Sequence, residues 1–186
     1  MSRALLLVVL LAIGAITGCA MGGPSAEALR TPIDAPYRLA SGDRLRIIVF
    51  GQESLSNSFN VDAAGNVSLP LIGTLRAQGM TTSELERSVE ARLRDGYLRD
   101  PRVAIEVEAY RPFFVMGEVT TSGQYPFISG MTAQKAVAVA GGFTPRGDQT
   151  HVVITRVIDG RPVTASVPLD FPVRPGDTIN VEERFF

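Results

Sequence analysis

Between residues 44 and 50 apolar and polar side chains alternate, with Leu45, Ile47 and Val49 on one side. That two-residue period predicts a strand with one buried face. Shorter runs at 59–62 and 67–69 flank Ala63-Ala64-Gly65-Asn66, and the spacing predicts a hairpin closed by that turn. The period then lengthens. Leu85, Val89 and Leu93 fall on one helical face, Thr81 and Glu84 form a capping box ahead of it, and Met80 and Leu85 are placed to staple across the cap before Gly96 ends the helix. A strand over 102–110 follows, with Val103, Ile105, Val107 and Ala109 expected inward and Glu106 and Glu108 outward. Residues 37–110 therefore read as a small β-rich domain with one covering helix.

From Pro112 the order of elements changes. Residues 113–119 read as a strand, Thr121-Ser122-Gly123 as a turn and 124–128 as the return strand. Thr132 can cap a short helix over 133–140, which Gly141-Gly142 terminates. Strands at 151–157 and 163–167 join over Asp159-Gly160, and a last one covers 178–182. Hairpin, helix and further strands are the order of a β-grasp domain, here 111–186, so the fold class is α+β. The two halves share an echo: Ser41-Gly42-Asp43-Arg44-Leu45-Arg46-Ile47 and Pro175-Gly176-Asp177-Thr178-Ile179-Asn180-Val181. Each sets a Gly-Asp turn ahead of an alternating strand, a shared local device rather than a repeat.

Before these domains the chain begins Met-Ser-Arg, runs from Ala4 to Ile16 without a charge, and reaches Thr17-Gly18-Cys19. A basic start, a short apolar run and small residues describe a secretory signal over 1–18. The apolar run falls short of the roughly 20 residues a bilayer-spanning helix needs. Ile16-Thr17-Gly18-Cys19 resembles the bacterial lipobox, in which the cysteine is acylated on its thiol and, after cleavage, on its new amino terminus. Two or more acyl chains anchor stably where one does not. Ala20 stands where lipoproteins retained at the inner membrane carry Asp, so the resemblance implies an outer-membrane anchor facing the periplasm. Residues 19–36, with Pro24, Pro32 and Pro36 and no apolar period, read as a tether.

Composition removes several functions. The 186 residues carry 18 Lys+Arg against 19 Asp+Glu, which lacks the cationic excess that phosphate-backbone binding leaves, so no nucleic-acid partner is expected. One cysteine makes no internal disulfide, and one histidine with that cysteine assembles no multi-His or thiolate metal site. His151 lies in an expected strand and reads as structural or surface rather than as a general base. Glu106 and Glu108, about 7 Å apart from the strand rise, superficially suit a glycosidase pair, yet read better as a solvated strand face. Gly141-Gly142 ends a helix and is followed by no Lys-Ser/Thr, so it is no phosphate loop. No catalytic residue, metal or cofactor is assigned. Phe185-Phe186 matches the C-terminal aromatic of outer-membrane barrels, but the capped helix and short strands argue against a strand-built membrane span. Tyr37, Tyr97, Tyr110 and Tyr125 are of the type that contacts sugars but read for the most part as packing or subunit-interface residues, and the excess of arginine over the single Lys135 suits planar ion pairs across subunit interfaces or equally reflects codon usage.

Taken together, several segments resemble the polysaccharide biosynthesis/export (Wza-like) family of outer-membrane lipoproteins. They are Tyr37-Arg38-Leu39 with Ser41-Gly42-Asp43, Val49-Phe50-Gly51, Val61-Asp62 with Gly65, Leu69-Pro70-Leu71-Ile72-Gly73, and Tyr97-Leu98-Arg99-Asp100-Pro101. Val115-Met116-Gly117-Glu118-Val119 with Gly123 and Tyr125-Pro126, Ala140-Gly141-Gly142-Phe143 and Pro175-Gly176-Asp177 complete the pattern. The resemblance implies an export domain followed by one SLBB-type β-grasp domain, and a homo-oligomeric ring that passes capsular polysaccharide or exopolysaccharide. It also implies an inner-membrane polysaccharide copolymerase as partner. The chain reads to Glu183-Arg184-Phe185-Phe186 without the amphipathic helix of longer members, so it resembles the short form and a separate outer-membrane β-barrel partner is expected. The residue assigned a modification is Cys19; glycan-binding residues stay unassigned. The second reading is a periplasmic glycan-binding or docking lipoprotein that forms no conduit.

Overall fold

The computed structural model describes residues 26–30 and 35–184; the expected signal, Cys19 and Phe185-Phe186 lie outside the described residues. A short helix α1 (Ala26–Leu29) precedes the first domain. That domain contains β1 (Arg44–Val49), β2 (Asn57–Asn60), β3 (Asn66–Leu69), β4 (Gly73–Arg76), α2 (Thr82–Arg94) and β5 (Val103–Ala109). The second holds β6 (Phe113–Gly117), β7 (Gly123–Tyr125), α3 (Ala133–Val139), β8 (His151–Ile158), β9 (Arg161–Pro168) and β10 (Thr178–Val181). The sheets are mixed with helices packed on them, an α+β architecture.

In the first domain β1 lies between β2 and β5 in an antiparallel sheet. Its Leu45, Ile47 and Val49 are buried against Leu85, Val89 and Leu93 of α2, so the alternating strand and the helical stripe form one core. The capping box is complete: the Thr81 amide donates to Glu84 Oε2 at 2.8 Å and the Glu84 amide to Thr81 Oγ1 at 3.2 Å. At the other end Gly96 takes φ +95° and the Leu98 amide returns to the Leu93 carbonyl at 2.8 Å. The helix also closes the open edge of β5. Glu90 accepts from the Val103 amide at 3.0 Å and Glu86 from the Ile105 amide at 2.8 Å, which removes two donors from an otherwise free sheet edge.

Two expectations fail in this domain for identifiable reasons. Runs 59–62 and 67–69 do not pair with each other. The turn between them exists, with the Gly65 amide on the Asp62 carbonyl at 2.9 Å. However, β2 pairs with β1, and β3 pairs with β4, a strand the periodicity did not reveal. Strand β4 has a single buried position, Leu75, and so carries no alternation. Ala109 is exposed rather than inward. Arg44 stands opposite Ala109 while Leu45 stands opposite Val107, so Glu108 is an extra residue and the bulge reverses the faces beyond it.

In the second domain the strand order is β7-β6-β10-β8-β9, with β10 parallel to β6 and every other pairing antiparallel. The last strand thus inserts beside the first, as a β-grasp requires, and α3 buries Ala133, Ala136 and Val137 against one face. The expected tether is not bare linker in its described part. Leu29 is fully buried in the second domain's core with Ala26 packed beside it, and Arg30 lies over the Phe171 ring at 5.9 Å. Full burial of a leucine contributes roughly 1.5–3 kcal/mol toward the entropy cost of ordering this segment. Leu29→Ala is therefore expected to destabilise the second domain by about 2–5 kcal/mol in urea unfolding of the full chain. Unchanged stability would show the strap to be incidental.

Candidate functional site

The echoed Gly-Asp segments fold into the same turn. The Asp43 amide reaches the Ala40 carbonyl and the Asp177 amide the Arg174 carbonyl, each at 3.1 Å. The aspartate side chain then accepts from the first residue of its own turn, Ala40 N at 2.9 Å and Arg174 N at 2.8 Å. Gly42 and Gly176 take φ +92° and +85° at the third position, where only glycine sits without strain. Both aspartates are essentially inaccessible to water, and a buried carboxylate needs a cation and several donors.

Each has found an arginine. Asp177 receives Arg156 Nε at 2.9 Å and Nη2 at 2.7 Å, a two-pronged pair. The same guanidinium donates from Nη1 to the Leu29 carbonyl at 2.6 Å and from Nη2 to Pro172 at 3.1 Å, so it also holds the N-terminal strap. Asp43 receives the Arg111 amide at 2.9 Å and the Tyr37 hydroxyl at 2.7 Å. Arg111 Nη1 donates to that hydroxyl at 2.9 Å and lies 3.8 Å from the carboxylate.

Arg111 is the residue at which the chain passes from the first domain to the second, and both turns close on it. A Cβ at Gly42 would stand 3.3 Å from Arg111 Cβ, and one at Gly176 would stand 2.6 Å from Arg111 Nε. Aromatic rings add a second bridge: Tyr37 meets Tyr110 edge-on at 4.9 Å, and Tyr110 meets Phe127 of the second domain at 5.5 Å. Burial pushes the Tyr37 phenol well above its ordinary value, against the opposing pull of Arg111 and with further support from Asp43.

Two surfaces stand beside this junction. A groove of about 630 Å³ is lined by Tyr37, Tyr110, the first turns of α2 and the outer edge of β5. The second domain's sheet presents two cross-strand rows on its outer face, Gln124, Phe114, Thr178, Thr155 and Thr164 in one, and Met116, Asn180, Val153 and Ser166 in the next, with Val157 opposite Pro162 beyond. None of these side chains carries a charge. Phe114, Met116 and Val157 are 43%, 50% and 65% exposed.

The residues singled out from sequence distribute unevenly. His151 is exposed at the start of β8, with Nδ1 3.1 Å from Thr150 Oγ1. Glu108 accepts from Arg44 Nε at 2.8 Å. A hydrogen bond from Ser58, followed by that guanidinium, holds its carboxyl below the usual range, the reverse of a general acid. Tyr125 donates to the Thr121 carbonyl at 2.6 Å and Lys135 to Gly130 at 2.8 Å, both local ties. Tyr97 is exposed beyond α2. The structure brings together only Tyr37 and Tyr110 of the tyrosines. Arg111 and Arg156 escaped sequence reading, since nothing local marks which arginine will meet a buried aspartate; the paired Gly-Asp turns were the available signal. Among the described residues no helix is long and apolar enough to cross a membrane.

Comparison with known proteins follows this two-domain division. Residues 31–108 match the family described as polysaccharide biosynthesis/export protein, and residues 112–165 match the SLBB domain. The exopolysaccharide production protein ExoF of Rhizobium meliloti is 36% identical over 118 residues, covering 57% of this chain and 28% of that protein. The EPS I polysaccharide export outer membrane protein EpsA of Ralstonia nicotianae is 28% identical over 185 aligned residues, 80% of this chain and 48% of the relative. The polysialic acid transport protein KpsD of Escherichia coli is 27% identical over 123 residues, 64% and 22%. The chain thus spans less than half the length of each.

Two outcomes test the junction. Arg111→Met leaves Asp43 buried without its cation, so a loss of about 3 kcal/mol is expected, with the wild type melting in one calorimetric transition and the variant in two; one unshifted transition in the variant would refute the bridge. Because Tyr37 is harder to ionise folded than unfolded, its contribution is complete below the ordinary tyrosine value near 10 and declines as pH rises beyond it. Stability followed by circular dichroism should fall above that pH, and Tyr37→Phe should lessen the slope.

Proposed function

This chain belongs to the polysaccharide biosynthesis/export protein family and carries an SLBB domain behind its family domain, and on that footing we propose that it works in the export of an exopolysaccharide or capsular polysaccharide at the outer membrane. In this reading Cys19 is acylated and anchors the protein to the periplasmic face. Identical subunits close into a ring, and the glycan passes through it without chemical change. An inner-membrane copolymerase feeds the polymer, and a separate β-barrel partner completes the path.

The observation that carries the assembly part is the charge-free outer face of the second domain's sheet. Water-facing sheet positions ordinarily carry charge, whereas the centres of protein interfaces lose charged residues and gain aromatic side chains and methionine. Phe114 and Met116 beside uncharged Thr178, Asn180 and Gln124 have that composition. A rigid junction serves the same end, because subunits that close a ring must repeat one geometry. Passive conduction also suits a surface that binds its polymer weakly, since tight sites would stall it.

The test is the mass of the detergent-extracted, acylated protein by light scattering, beside its Cys19→Ser form and a Phe114→Asp, Val157→Asp double variant. A discrete high-order oligomer is expected for the wild type. The double variant should fall to monomer with unchanged circular dichroism, because an interface would have to bury two new carboxylates. Wild-type monomer at all working concentrations would refute the ring, and an intact oligomer in the double variant would remove this face from it.

A further inference from the structure

We propose that the charge-free outer face of the second domain's sheet docks on the α3 side of the next copy of this chain, so that subunits join head to tail through two unlike patches. The inference rests on the ring reading and names what its sheet face meets. Only one face of this sheet is covered from within the domain, where Ala133, Ala136 and Val137 of α3 are buried against it. Phe114 and Met116 alternate along β6 with the buried Phe113 and Val115, so they stand on the side of the sheet opposite α3. The α3 side of the domain is equally short of charge. Across the 27 residues from Val119 to Pro145 the only charged side chain is Lys135, and its Nζ is turned back onto the Gly130 carbonyl at 2.8 Å. Helix α2 turns Arg87, Arg92 and Arg94 to water, whereas the outward positions of α3 hold Gln134, Lys135, Ala138 and Val139. Val139 is 52% exposed, and Ile128, in the loop that leads from β7 to α3, is 65% exposed.

Packing and symmetry select the second copy as occupant. A sheet is commonly buried by helices on both faces, and here the domain supplies a helix for one face and presents another such helix surface, low in charge, on its far side. Loss of charge marks the centre of a protein interface, and it occurs on both patches. Contact of one sheet face with the same face of a second copy would be isologous and would close a dimer, leaving Ile128 and Val139 in water. A contact between unlike patches uses both in every copy. Because the patches lie on opposite sides of one domain, each copy can hold two neighbours at once, the arrangement from which one kind of interface builds a ring of more than two subunits. A lipid surface is a poorer fit, since membrane-lying apolar faces are flanked by Lys and Arg, whereas Phe114 and Met116 are flanked by Gln124, Thr178 and Asn180.

The test uses the detergent-extracted, acylated full chain with two pairs of substitutions at exposed positions: Phe114→Asp with Val157→Asp on the sheet, and Ile128→Asp with Val139→Asp on the α3 side. By light scattering each variant alone should be a monomer, with unchanged circular dichroism, because either interface half would have to bury new carboxylates. Mixed one to one, the two variants should form particles of twice the monomer mass and nothing larger, since only the first keeps its α3 side and only the second its sheet face. Hydrogen exchange gives a reading independent of the affinity of that mixed pair. Compared with the monomeric sheet variant, the wild-type oligomer should exchange more slowly across residues 126–139 as well as in the sheet. An α3-side variant of wild-type mass, protection confined to the sheet, or a mixture that stays monomeric would each overturn the pairing while leaving the ring in place. A monomeric wild type would remove the ring and the pairing together, so the two failures are told apart.

Discussion

Two carboxylates removed from water govern this structure. Asp43 and Asp177 close tight turns with their own side chains, and in doing so are drawn under the start of β1 and β10. A buried carboxylate without a cation is untenable by several kcal/mol, so each turn dictates where an arginine must arrive. For Asp177 that is Arg156, which then has donors left over for the Leu29 and Pro172 carbonyls. For Asp43 it is Arg111, assisted by Tyr37. The strap and the domain junction are both consequences of satisfying these two acids.

The glycines make this arrangement possible in two ways. Their positive φ lets the turn close, and their missing Cβ leaves room for Arg111 between the turns. A side chain at Gly176 would displace the guanidinium, so one residue type serves the local backbone and the contact between domains together. The hydrogen-bonded tyrosine and the edge-on ring contacts then extend the bridge across the junction. Such a junction holds the two domains against each other through side-chain contacts that a bare linker would lack.

Much of this was legible beforehand because its causes are local. The α2 cap depends on residues three apart, the buried face of β1 on a period of two, and the end of the helix on a glycine, and each appears where the pattern put it. The Gly-Asp echo was likewise visible, and its two copies fold alike to within 0.1 Å in their paired hydrogen bonds. The partners of strands were less visible. Runs 59–62 and 67–69 had a good turn between them, yet β1 competed successfully for β2, since that pairing extends a sheet already buried by α2. The bulge at Glu108 changed the face of Ala109 because an extra residue, not a change of composition, sets the register there.

The sequence by itself determined the α+β class, the helix caps, the Gly-Asp turns and the resemblance to a polysaccharide export family, because these depend on short-range periodicity, on backbone preferences and on ordered motifs. Tertiary structure alone decided that Leu29 belongs to the second domain's core, that Arg111 and Arg156 are the arginines that meet the buried aspartates, and that Tyr37 and Tyr110 stand together while Tyr97 and Tyr125 do not. The physical reason is distance along the chain. Arg156 and Leu29 are 127 residues apart, and Arg111 and Asp43 are 68 apart. No local pattern encodes which of many similar arginines will lie nearest a buried charge once the cores have closed.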